Sequence, residues 1–146
     1  RVASEHVAAI EPDNANVEVT SSVPSEERLA ARAREHFLAG VETDPTLGGL
    51  RERFEAAGLS DVTVRRHEHV RQVAPPYDDA AVEAARRKAL GTAIADRRST
   101  LEAGGAALED LRSDWRAMGR EVVREMATET YERREVVPFY VTVGGV

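Results

Sequence analysis

The segment from Asp44 to Val64 constrains the fold of this chain more than any other, because it spells a helix handed directly to a strand. Asp44 is a good N-cap, and Pro45 suits the first helical position, where its missing N–H costs nothing. Leu47, Leu50, Phe54 and Ala57 make one face of the predicted helix. Gly58 stands where a left-handed residue closes a helix, and Leu59 follows to make the apolar contact of that motif. Asp61-Val62-Thr63-Val64 then begins a strand, with Val62 and Val64 on one side and the strand expected over Val62–Arg66. A helix, one glycine and a strand in so few residues is the connection of an α/β domain.

Two further strands complete that class. Val7-Ala8-Ala9-Ile10 is an apolar run without alternation, stopped at Glu11-Pro12 and followed by Asp13-Asn14. It reads as a buried strand entering a polar loop, covered on both faces as in a parallel sheet flanked by helices. In such sheets ligands sit in the loop after a strand's carboxyl end, which makes Glu11, Asp13 and Asn14 the candidate substrate-binding residues. They could hydrogen-bond a substrate or orient a proton transfer. Equally, Pro-Asp-Asn makes a turn by capping its own backbone, and the spacing does not choose between the two. Val136–Val143 is the last strand, with Phe139, Val141 and Val143 on one face, Tyr140 and Thr142 on the other, and Pro138 near its start. Apolar or aromatic groups on both sides place it in the middle of a sheet. Val17-Glu18-Val19-Thr20 alternates as a short extra strand.

The remaining segments are helical. Pro24 opens a helix whose stripe is Leu29, Ala33 and Phe37, with Glu26 and Glu27 at its positive end and Gly40 as its stop. Asp78 or Asp79 caps a helix expected to reach Ile94, striped by Val82, Ala85, Ala89 and Ala93. Breaks at Ser99, Thr100 and Gly104-Gly105 precede the strongest periodic signal, Leu108, Leu111, Trp115, Met118, Val122 and Met126. Trp115 and Met118 are read as core, with an apolar pocket as the alternative.

Composition removes several function classes. Cysteine is absent, so disulfides and thiolate metal sites are excluded. The net charge of −6 argues against a nucleic-acid backbone as partner. No apolar run approaches membrane-spanning length and no signal-peptide pattern is present, which fits a cytoplasmic protein. His67-Glu68-His69 puts two imidazoles on one side of a strand, but a metal needs a third ligand, so the pair reads as polar surface and no metal is expected. The glycine pairs at 48–49, 104–105 and 144–145 lack the spacing of a phosphate loop.

Taken in order, these pieces resemble the C-terminal, substrate-side half of a class I SAM-dependent methyltransferase of the small-molecule type. Val7–Asn14 resembles that family's fifth strand with its "EPDN" ending, and Ser22-x-Pro24-Ser25 with the helix to Gly40 resembles the segment that follows. Leu50 to Val62, containing Phe54-Glu55-Ala56-Ala57-Gly58-Leu59-Ser60-Asp61-Val62, is similar to the "LFxxAGFxDV" helix leading into the sixth strand. Pro138 to Gly144 resembles the seventh, antiparallel strand, which the family places between the fifth and sixth. The resemblance implies a Rossmann-like sheet with its last strand antiparallel, and residues 71–135 as an inserted helical cap over a substrate pocket. It implies a methyl group transferred from S-adenosylmethionine to a small molecule. The family's first strand, Gly-rich loop and ribose-binding acid are not found between Arg1 and Val146, so the cofactor site is expected mainly upstream of this chain. Ser4-Glu5-His6 also intervenes where the family has Gly-Gly-Arg-Val directly before the strand. The alternative is a non-catalytic α/β ligand-binding or dimerisation module. The expected partners are a small-molecule substrate and, as a second option, another copy in a homodimer.

Overall fold

The computed structural model describes residues 6–41 and 49–146. Among them, an open four-stranded antiparallel sheet and six α-helices make an α/β fold. The sheet is assembled on β4 (Arg133–Gly145), which pairs with β1 (His6–Pro12), β2 (Glu18–Ser21) and β3 (Ser60–Val73). β1 runs antiparallel to β4, from His6 opposite Gly145 to Pro12 opposite Phe139. β3 meets the same stretch of β4. Ser60 Oγ donates to Gly145 O at 3.4 Å, and the His69 ring stands edge-on to Phe139. One edge of a strand carries one ladder, so β3 lies along the other edge and β4 is central between them.

The described chain divides into two compact units, residues 6–17, 49–69 and 136–146 in the first, 18–41 and 70–135 in the second. In the first, α2 (Leu50–Ala56) ends as its residues dictate. Gly58 is left-handed at φ 80°, its N–H donates to Glu55 O, and Leu59 N–H donates to Phe54 O. Asp44, Pro45 and Leu47, expected to start this helix, lie outside the described residues. A Cβ on Gly144 would come within 2.9 Å of Leu59 Cβ and 3.2 Å of Phe54, so this glycine lets the helix-to-strand connection pack on β4.

Three strand expectations change. β1 is not covered on both faces: Ile10 is 68% exposed and Val7 38%. Its residues pair only with β4 among the described strands, and the alternation half-buries Ala9 and Glu11 while turning Ile10 outward. β3 does not stop near Arg66 but continues to Val73, because the ladder with β4 satisfies its backbone whatever the side chains are. β4 extends beyond Val136–Val143, which puts Pro138 inside the strand. Pro138 falls one residue past the last β1 pair, where no amide donor is needed, and its carbonyl accepts from Asp13 N–H at 2.7 Å.

The second unit is helical around an apolar core. It holds β2, α1 (Pro24–Gly40), α3 (Asp79–Leu90), α4 (Thr92–Ala95), α5 (Arg98–Ala103) and α6 (Leu108–Ala127). The α6 stripe buries Leu111, Met118 and Val122 completely, with Trp115 and Met126 half-buried beside them. Asp78 caps α3 by accepting from Ala81 N–H at 2.7 Å. The expected run to Ile94 is broken at Gly91, whose φ of 68° closes α3 after Leu90 before α4 begins. α1 ends at Gly40, as expected, although Gly40 is not left-handed. A Cβ there would sit 1.8 Å from Thr100 O, and one on Gly104 would sit 1.8 Å from His36 O. The two glycines allow α1 and the end of α5 to meet backbone to backbone, and His36 Nδ1 donates to Gly104 O at 2.9 Å across the contact. Likewise a Cβ on Gly119 of α6 would lie 2.3 Å from Ala89 N of α3. Among the described residues no helix is long and apolar enough to cross a membrane.

Candidate functional site

The three residues expected to bind substrate separate into different roles. Asp13 is 4% exposed and caps the 3-10 turn Asn14–Asn16, accepting from Asn16 N–H at 3.3 Å and Asn16 Nδ2 at 2.8 Å. Its carboxylate is thus engaged in making the turn. Asn14 is exposed in that turn. Glu11 is not in the loop, as expected, but in β1 opposite Tyr140, because the β4 ladder carries the strand on through Pro12. It is half-buried, and its Oε2 is buried without a hydrogen-bond partner. Glu11 therefore has the spare acceptor, and a buried lone pair of this kind is costly unless something donates to it.

His67 and His69 are exposed on β3 with Glu68 held by Arg66 at 2.7 Å, which is the polar-surface reading. No cluster of three or more metal-ligating side chains occurs among the described residues.

The helical unit contains a charged centre that the sequence pattern does not announce. The Glu26 side chain, 2% exposed, accepts from Ser21 Oγ at 2.7 Å, from Tyr131 OH at 2.8 Å and from Lys88 Nζ. Arg133 Nε lies 3.1 Å from Glu26 Oε1 as an ion pair, at an angle too poor for a hydrogen bond, while its terminal nitrogen donates to Glu135 Oε2 at 2.5 Å. Burial raises the Glu26 carboxyl, but the charge and hydrogen bond of Lys88, with those of Ser21 and Tyr131, outweigh it and hold it below the usual carboxylate value. Lys88 is not fully compensated. Burial pulls its ammonium below the usual value despite Glu26, and Arg133 adds to the pull. Burial, then the Glu26 charge and hydrogen bond, push the Tyr131 phenol well up. For Arg133 burial is overcome by Glu135 and Glu26, and the guanidinium is held firmly protonated. These groups fix α1, α3 and the start of β4 to one another. Two features of the sequence single out members of the centre, though not their meeting. Lys88 is the only lysine of the chain, and Glu26 stands three residues before Leu29, in line with the α1 stripe.

Between α3 and the end of α6 lies a cavity of about 500 Å³ lined chiefly by Tyr77, Val82, Ala89, Leu90, Val123 and Met126. Tyr77 closes one side, its hydroxyl donating to Tyr131 O at 2.9 Å. Trp115 and Met118 pack into the core.

With this geometry in hand, the chain matches no protein-family model, no curated protein and no solved structure.

Proposed function

We propose that this chain is the substrate-side part of a SAM-dependent methyltransferase acting on a small molecule. The observation that carries the reading is the strand order: β4 lies antiparallel between β1 and β3, and α2 enters β3 through Gly58. The resemblance of the three segments to fifth, seventh and sixth strands implies that order and that direction. On this reading Glu11, with its unpartnered oxygen, is the member of the Glu11–Asp13–Asn14 group best suited to hold an acceptor donor group, while Asp13 shapes the turn. Transfer between two bound molecules draws much of its rate from alignment, so positioning is the role assigned here and no residue is assigned as base.

The described residues do not fit the methyl donor. A donor nucleoside needs a glycine turn after a strand, and the left-handed glycines here, Gly58, Gly91 and Gly105, each follow a helix. The reading places the donor site outside residues 1–146, and no step is drawn through it. Calorimetry with S-adenosylmethionine tests it on this chain and on a longer polypeptide that contains it. The isolated chain should bind weakly or not at all, and the longer one well. Micromolar binding by the isolated chain overturns the placement of the donor site. No binding by the longer polypeptide overturns the methyltransferase reading and favours a ligand-binding or dimerisation module.

A further inference from the structure

Val82, Leu90 and Val123 are large apolar residues left 53%, 55% and 43% exposed, and all three line the α3–α6 cavity. Their side chains give the concavity an almost wholly apolar lining. Its volume of about 500 Å³ falls within the range of small-molecule sites. A stable dimer face needs about 20–30 residues a side, far more than line this cavity. The lining offers little that is polar. The Tyr77 hydroxyl is taken by Tyr131 O, and among the described residues of the wall only Arg86 is charged, its stem rather than its guanidinium facing the hollow. Arg86 is 3.9 Å from Glu83, with both side chains mostly exposed, a contact too weak to hold the guanidinium. An apolar hollow with one weakly engaged guanidinium exposed beside it fits an apolar body carrying one negative group.

We propose that this cavity binds a small anionic amphiphile, its apolar body between α3 and α6 and its carboxylate-type head on Arg86. The inference goes beyond the methyltransferase reading, since it needs neither the methyl donor nor a transfer step. Decanoate and decan-1-ol serve as probes in calorimetric titrations of the chain without S-adenosylmethionine. Decanoate should bind saturably with one site per chain. Arg86→Glu should weaken decanoate about tenfold or more, the worth of a charge-assisted hydrogen bond, while changing decan-1-ol little. Val123→Asp, at a position 43% exposed, should weaken both probes while its circular dichroism stays that of the parent chain. Absence of saturable decanoate binding, or binding unchanged in Val123→Asp, overturns the site. Equal effects of Arg86→Glu on both probes overturn the anionic head. Sedimentation showing a dimer that Val123→Asp dissociates, with no decanoate binding, assigns the face to a second copy and overturns the proposal. Each of these results is independent of whether a longer polypeptide binds S-adenosylmethionine.

Discussion

Replacing Glu26 by Gln should cost the helical unit about 3 kcal/mol at neutral pH, the low end of the range for breaking a buried ion pair from one side. Glutamine keeps the shape and one acceptor oxygen for Ser21 and Tyr131. What disappears is the negative charge facing Lys88 and Arg133. Arg133 retains Glu135, whose Oε2 is 2.5 Å away, so the charge left unpaired is mainly that of Lys88. Lys88 is 19% exposed, and partial access to water keeps the loss near the low end. Removing Lys88 as well, as Lys88→Met in the Glu26→Gln background, should recover part of it, with a coupling energy of about 2 kcal/mol in the double-mutant cycle. The sign with pH follows from the depressed carboxyl. Its stabilisation is complete above the ordinary value of 4.5 and is lost as pH falls through the lower folded value. The deficit of Glu26→Gln should therefore shrink in acid. Urea unfolding read by Trp115, the chain's single tryptophan and a residue of α6, measures both effects. A neutral-pH loss under about 1 kcal/mol, no more than one ordinary hydrogen bond, would refute the reasoning. So would a deficit that stays constant between neutral pH and acid.

Gly119→Ala should destabilise by about 3 kcal/mol, because its Cβ meets the backbone of Ala89 and Lys88, which cannot yield as a side chain would; an unchanged melting temperature would rule out the close α3–α6 crossing. Trp115→Ala should cost about 3 kcal/mol, the low end for a buried aromatic since Trp115 is half-buried, and a loss within about 0.5 kcal/mol would mean the ring lies on the surface. The raised Tyr131 phenol keeps its proton in the folded chain where the unfolded chain loses it, so this group lowers stability as pH rises through 10. Absorbance at alkaline pH should show Tyr131 ionising only on unfolding, and Tyr131→Phe should abolish that step. Asp13→Ala should cost about 1 kcal/mol as a lost cap, without altering the β1–β4 pairing seen by amide exchange.

The features legible in the residues are those governed by neighbours in the chain. Gly58 closes α2, Asp78 opens α3, and the α6 stripe buries its face, because capping and helical periodicity act over a few residues. The turn at Asp13 was equally legible as one of two alternatives, and its own hydrogen bonds favour the local one. The centrality of β4 showed in its two-sided apolar content. Tertiary structure alone decided the rest. β3 continues through Arg65–Val73 against its polar composition, since an interstrand ladder joins backbones and is indifferent to what the side chains prefer. The same ladder draws Glu11 into β1. Gly40 ends α1 as its residue type suggests, but its missing side chain also admits α5, and that second role depends on where Thr100 lies. Tyr131 reaches Glu26 across 105 positions of sequence, and Lys88 across 62. No local pattern can encode such a meeting. Burial then gives those charges an influence on stability that the same residues, solvated on a helix surface, would not have.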